Sequence, residues 1–239
     1  MNLIIDYGNT AAKVGIFDQH ELKQRHSFND SLSLENFLKN NLAENVIISS
    51  VNVDPHQIIA NVLTDGLKII LNPDVPIPIN NHYQTPSTLG MDRLAAICGA
   101  IKLFPHENTL VINAGTCITY DFVDDQKNYW GGAISPGLNM RFKAVHTFTS
   151  RLPLVEPVDN IALIGNSTET SIQSGVANGM TAEINGIIEQ YRGKYHDLKV
   201  ILAGGDGPFF ENKLKASIFA SPNIVLIGLN SILIYNVNR

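Results

Sequence analysis

LIIDYGNTAAKVGIF, residues Leu3–Phe17, and LVINAGTCITYDFV, residues Leu110–Val123, repeat one pattern in the two halves of the chain. Each has three apolar residues, then Asp or Asn, a spacer, a Gly with a hydroxyl residue close behind, and an apolar-rich run with strand-like alternation. That order predicts strand, tight turn, strand, used twice. A Gly in such a turn frees backbone N–H groups to approach an anion, and the neighbouring hydroxyl can donate to a phosphate oxygen. Asp6, at the end of the first strand, is placed to hold Mg²⁺, which prefers oxygen ligands and keeps several waters. One such segment alone is simply a β-hairpin. Two of them facing each other would grip the phosphates of a single nucleotide from both sides.

Composition is compatible with that reading. At 239 residues with 44% hydrophobic content, the chain can bury a substantial core. Length allows one domain or two; the repeat favours two, with residues 1–107 and 108–239 as the expected halves. A formal net charge of −5 and the lack of a Lys/Arg run argue against nucleic-acid binding by general electrostatics. A small anionic ligand needs only local donors and stays open. No stretch approaches the ~18 uninterrupted apolar residues of a membrane span, and Asp6 falls where a signal peptide would be apolar. A cytoplasmic location is expected. Cys98 and Cys117 form no CxxC pair and sit in apolar company, which fits structural thiols. The histidines, at 20, 26, 56, 82, 106, 146 and 196, include no i, i+4 pair of the kind a zinc-binding helix carries.

Along the first half, Leu32 to Leu42 has helical spacing. Val46 to Val53 reads as a buried strand ending in Ser49, Ser50 and Asn52, a helix is expected near Pro55 to Thr64, and Leu67 to Leu71 reads as another strand. This alternation implies a sheet with parallel members covered by helices. Asn72 to Gly90 is loop-like, with four prolines and Tyr83, and a loop of that length is read as functional. It leads into an apolar-faced helix that opens Gly90, Met91, Asp92, Arg93. An acid at a helix start complements the helix dipole; at the mouth of a phosphate cleft, Asp92 and Arg93 would instead be a general base and an anion clamp. In the second half, Gly131, Gly132, Pro136 and Gly137 punctuate a strand-to-helix turn before a helix over Leu138 to Phe148. Thr168 and Glu169 then begin a long helix whose Ser174, Gly175, Ala177 and Gly179 would let another backbone approach. Lys199 to Phe210 reads as an apolar strand ending in Gly204, Gly205 and Gly207, where bare backbone could lie against a base or ribose. Val225 to Val237 reads as a terminal helix.

Six short motifs occur in order: DYGNT (Asp6–Thr10), GMDR (Gly90–Arg93), GTCIT (Gly115–Thr119), GGAISPG (Gly131–Gly137), GNSTETSIQSG (Gly165–Gly175) and AGG (Ala203–Gly205). Together they span nearly the whole chain and resemble type III pantothenate kinase, a member of the actin-like and sugar-kinase ATPase superfamily. The resemblance implies an α/β fold of duplicated ribonuclease H-like (actin-like ATPase) domains. Each would be a mixed β-sheet with flanking helices, with the nucleotide cleft between them. It implies transfer of the ATP γ-phosphoryl group to pantothenate, Mg²⁺ as cofactor, and a homodimer with the helix after Gly165 near its interface.

Carried over by motif, Asp6, Tyr7, Gly8, Asn9, Thr10, Ala11, Ala12 and Lys13 form the first phosphate loop, Asp6 also placing Mg²⁺, and Thr116 belongs to the second. Tyr83, Gly90, Met91, Asp92, Arg93 and Thr168 match pantothenate-contacting positions, with Asp92 at the position of the catalytic base. The family usually has Asp where this chain has Asn113, and that Asp accompanies a bound monovalent cation, normally K⁺. Asn keeps a ligating carbonyl oxygen without the charge, so weak or absent activation by K⁺ or NH₄⁺ is expected. Two alternatives share the hairpins: a kinase of another small hydroxy compound, and a non-catalytic accessory factor in transcription. The first need not keep Tyr83, GMDR and Thr168; the second is disfavoured by Asp6, Asp92 and the lack of a basic patch.

Overall fold

The computed structural model describes residues 1–51 and 53–239; Asn52, expected near the end of a strand, lies outside the described residues. The chain forms two compact units. One joins Met1–His106 with Val123–Trp130 and Asn223–Arg239, and the other joins Glu107–Phe122 with Gly131–Pro222. Neither unit is one continuous half of the chain.

The first unit opens with β1 (Asn2–Tyr7), β2 (Ala12–Asp18) and β3 (Glu21–Phe28), continues through α1 (Ser31–Lys39), β4 (Asn45–Ser50), α2 (Pro55–Ile59) and β5 (Lys68–Ile70), and forms a sheet in the order β3-β2-β1-β4-β5. β1 runs antiparallel to β2 and parallel to β4. Central position explains the apolar NLII and NVII runs, because such strands are covered on both faces; Ile4, Ile5, Ile47 and Ile48 are fully buried. β3 is a polar edge strand, ELKQRHSF, without the alternation that would have made it legible in the sequence. α2 is shorter than the expected Pro55 to Thr64. The Asp54 carboxylate caps its start by accepting the His56 N–H at 3.0 Å, and the Thr64 hydroxyl donates to the Glu44 carbonyl at 2.6 Å, drawing the chain out of helical geometry.

After the short β6 (Asn80–Asn81) and a 3₁₀ turn at Pro86–Thr88 comes α3 (Met91–Leu103), which packs on the terminal helix, numbered α8 (Ile224–Val237). α8 is mostly apolar without an amphipathic period, as suits a helix largely buried in its own unit. A Cβ at Gly228 would stand 1.7 Å from the Ala95 carbonyl oxygen, and one at Gly99 would stand 2.4 Å from that of Ile224. The helices therefore touch backbone to backbone. Asn230 ties α8 to the sheet: its carbonyl oxygen accepts from Asn2 Nδ2 at 3.1 Å, and its own Nδ2 donates to the Gln19 carbonyl at 2.7 Å.

A second sheet and its helices repeat the plan. β7 (Thr109–Ala114), β8 (Cys117–Val123) and β9 (Asn128–Pro136) lead through α4 (Leu138–Thr147), α5 (Thr168–Gln173), a π turn (Ser174–Asn178) and α6 (Gly179–Arg192) to β10 (Lys199–Ala203), α7 (Gly207–Glu211) and β11 (Phe219–Ala220). The strand order β9-β8-β7-β10-β11 matches β3-β2-β1-β4-β5, with β10 parallel to β7 and β11 parallel to β10. The opening residues of β9 also pair in parallel with β6, Asn80 opposite Asn128 and Asn81 opposite Tyr129. The single long helix expected after Thr168 is divided by the π turn. There Ser174 Oγ donates to the Leu163 carbonyl at 2.7 Å, a bond outside the helix that a regular helical turn would not need. Among the described residues no helix is long and apolar enough to cross a membrane.

The contact of α3 with α8 decides the sign of one substitution. Helix propensity alone would make Gly228→Ala stabilising by about 1 kcal/mol, but the Ala95 carbonyl occupies the methyl's place. The variant should lose about 1–3 kcal/mol in urea unfolding.

Candidate active site

In the first unit the β1–β2 turn is closed by the Gly8 N–H donating to the Ala11 carbonyl at 3.2 Å. Asn9 and Thr10 are exposed at its tip, Tyr7, Gly8, Ala11 and Lys13 are half-buried, and Ala12 is buried. Strand register sets Lys13 opposite Asp6 on one side and Ser49 beside it on the other. Asp6 is only 8% exposed, and burial pushes its carboxyl from an ordinary 3.8 to about 6; the Lys13 ammonium opposes the rise and the Asp92 carboxylate adds to it. Asp6 thus feels the charge of Asp92 although 86 positions separate them in the chain.

Ser49 Oγ is buried without a hydrogen-bond partner among the described residues. A buried hydroxyl left unpaired costs about 1–3 kcal/mol, so its presence beside Asp6 calls for a ligand-side explanation. These groups suit Mg²⁺: a buried carboxylate on a strand end and a spare hydroxyl, with no cluster of three or more His, Cys, Asp or Glu among the described residues. Mg²⁺ is typically held by one or two carboxylates together with waters and substrate phosphates. In the sequence Ser49 is marked only as the end of a strand, its one signal being a hydroxyl that closes an apolar run.

The GMDR segment starts α3, with Gly90 as its N-cap. A Cβ on Gly90 would meet Asp92 Oδ1 at 2.6 Å, so the half-buried Asp92 carboxylate folds back over bare backbone. Met91 is half-buried beside it. Arg93 is 6% exposed, and its guanidinium carbon lies 5.7 Å from the centroid of the Tyr83 ring, a cation–π distance. Tyr83 in turn stacks on Tyr129, with centroids 6.3 Å apart and planes 8° from parallel. The expected anion clamp is therefore also a brace for an aromatic loop residue. Asp6, Lys13, Asp92, Arg93 and Tyr83 all belong to this unit.

Asn113, Thr116 and Thr168 belong to the second unit. The Gly115 N–H donates to the Cys117 carbonyl at 3.0 Å, leaving Thr116 exposed at the tip of the β7–β8 turn. Asn113 is half-buried and pairs in register with Ala203. There the chain enters Gly204 at φ +90°, where a Cβ would lie 2.0 Å from the Ala114 carbonyl oxygen. The AGG loop is thus packed directly on the hairpin. Thr168 follows a capping box in which Ser167 and Thr170 satisfy each other's backbone N–H groups, and it borders an open pocket of about 580 Å³ that Leu152, Gly165 and Ile172 also line. Cys98 is buried and its thiol is pushed well above the ordinary range by burial, which leaves it an inert core residue.

Asp6 supplies a pH signature. Its raised folded-state pKa means the native protein binds this proton more tightly than the unfolded chain, so the stability this carboxyl contributes is fully present below pH 3.8 and is lost as pH rises through about 6. Asp6→Asn should match the parent in stability near pH 3.5 and exceed it at pH 7.5, by up to about 3 kcal/mol, in ligand-free denaturant titrations.

Residues 2–190 match the type III pantothenate kinase family. The chain is 43% identical over 242 residues to a type III pantothenate kinase of Christiangramia forsetii, covering 99% of each chain. To one from Bacteroides fragilis it is 46% identical over 243 residues, covering all of both. Among solved structures, a Campylobacter jejuni protein assigned to the Baf family of transcriptional activators aligns over 99% of this chain and all of its own, with a TM-score of 0.66 and 24% identity. A glucokinase from an Antarctic psychrotroph aligns over 98% of both chains with a TM-score of 0.51 and 12% identity. The structural likenesses speak for the fold, the duplicated ribonuclease H-like plan of actin-like ATPases and sugar kinases. The family match, which covers most of the chain, and the full-length relatives speak for more: the chain belongs to the type III pantothenate kinase family.

Proposed function

We infer that the chain transfers the γ-phosphoryl group of ATP to the primary hydroxyl of pantothenate, giving ADP and 4′-phosphopantothenate, the first step toward coenzyme A. The observation that carries the residue assignment is the pairing of two carboxylates in one unit: Asp6, buried at a strand end, and Asp92, seated over Gly90 within range of its charge.

Phosphoryl transfer asks a protein mainly for positioning and for charge opposite the phosphoryl oxygens. In this reading N–H groups of the Gly8–Ala11 turn and the Lys13 ammonium contact phosphates, and Thr116 belongs to a phosphate loop of its own. Asp6 and, through water, the Ser49 hydroxyl would hold Mg²⁺, which neutralises charge on the phosphates when bound. Asp92 accepts the proton of the pantothenate hydroxyl as its oxygen bonds to the γ-phosphorus and the bond to the β-phosphate bridging oxygen breaks. Arg93 offers its fork to the pantothenate carboxylate while bracing Tyr83. Thr168 contributes a hydroxyl to the pocket it borders. Asn113 supplies a carbonyl oxygen without charge, so a monovalent cation gains little there.

The family reading also includes a homodimer. Phe148, Leu163 and Ile164, each more than four-fifths exposed in the single chain, suit burial against a second copy; a light-scattering mass of one chain would count against this.

Two further measurements test the chemistry. ADP release from Mg-ATP should require pantothenate and proceed at similar rates in potassium and sodium buffers; a strict need for potassium would refute the role given to Asn113. Asp92→Asn should lower kcat by about 10²-fold or more, whereas a near-normal kcat would remove Asp92 as the base.

A further inference from the structure

Three side chains far apart in sequence meet in the second unit. The buried Tyr120 phenol on β8 donates to Glu183 Oε1 on α6 at 3.0 Å. Glu183 Oε2 accepts from Arg141 Nη2 on α4 at 2.6 Å. The same Nη2 donates to Ser135 Oγ at 2.9 Å, and Arg141 Nε donates to the Pro136 carbonyl at 2.8 Å. The Arg141 and Glu183 side chains are 21% and 27% exposed, so the ion pair is only partly screened.

What this network grips lies next to the turn that carries Thr116. Gly137 follows Pro136 directly, and its N–H donates to the Thr116 carbonyl at 3.2 Å. A Cβ on Gly137 would come within 2.0 Å of the Gly115 carbonyl oxygen and 2.5 Å of that of Thr116. With no side chain between them to yield, a shift of the Pro136 carbonyl is passed to the Thr116 turn as a backbone displacement. Arg141 is suited to prevent that shift, because a rigid planar fork fixes two directions at once and a flexible ammonium does not. Glu183 fixes the fork from the other side, and burial together with the Glu183 carboxylate pushes the Tyr120 phenol upward, keeping it a neutral donor.

We propose that Glu183, acting through Arg141, is a positioning residue that holds Pro136 and Gly137 against the Thr116 turn and thereby sets the affinity for ATP. The inference rests on reading Thr116 as part of a phosphate loop, and it assigns the network no contact with pantothenate.

The test measures KM for Mg-ATP and for pantothenate, the dissociation constant of Mg-ADP, and thermal stability in Glu183→Gln, Arg141→Lys and Tyr120→Phe, with Thr116→Val alongside. Glu183→Gln and Arg141→Lys should raise KM for Mg-ATP and the Mg-ADP constant about tenfold while KM for pantothenate stays within about twofold. Tyr120→Phe, which removes one hydrogen bond and keeps the ring, should give a smaller shift in the same direction; it keeps the inference testable if the other variants fail to fold. If Thr116→Val weakens nucleotide binding while the network variants do not, the positioning role is overturned and the phosphate-loop reading stands. If Thr116→Val leaves nucleotide binding unchanged, the phosphate-loop reading falls and the inference with it. Equal rises in both KM values, or lowered stability with unchanged KM values, would show a purely structural network.

Discussion

At several points backbone rests on backbone with no side chain between, and the turns of the β7–β8 hairpin depend on it. Gly137 lies on the carbonyls of Gly115 and Thr116, Gly204 on that of Ala114, and Gly132 on that of Tyr120. In each case an added methyl would fall well inside van der Waals contact, so the β7–β8 hairpin is held by rigid neighbours rather than by adjustable side chains. The first unit applies the same constraint to its helices, where Gly99 and Gly228 bring α3 and α8 together. Close packing of this kind transmits displacement instead of absorbing it, so the turns keep the positions that their glycine neighbours set.

On that scaffold the two units carry different charge. The same strand plan, β3-β2-β1-β4-β5 and β9-β8-β7-β10-β11, ends its first strand in a carboxylate region in one unit and an amide in the other, Asp6 and Asn113. Strand β1 is central, so Asp6 loses water and its ionised form becomes costly. Asn113 carries no such cost. One strand plan thus ends in an ionisable group in one unit and in a neutral one in the other.

Asp92 and Arg93 show how one helix start places two opposite charges by different means. An acid in the first turn of α3 complements the helix dipole, as any such acid would. Its seat over Gly90 and its influence on Asp6 are what distinguish it, and neither follows from spacing. Arg93, buried against the Tyr83 ring, orders a loop residue by the same charge that would meet a carboxylate.

The hairpins, the paired domains and the six motifs were legible in the sequence because strand alternation, turn glycines and residue order are local properties of the chain. Asp6, Asp92 and Thr116 could be singled out on that basis. β3 was not, since a polar edge strand carries no apolar period, and the end of α2 was not, since Thr64 leaves the helix for a carbonyl 20 positions away. Only the tertiary structure decided that residues 123–130 and 223–239 join the first unit, that the Ser49 hydroxyl lies beside Asp6 without a partner among the described residues, and that Tyr120, Arg141 and Glu183 meet across separations of 63 and 42 residues. Those facts depend on which strands and helices become neighbours, and long-range packing, not local pattern, settles that.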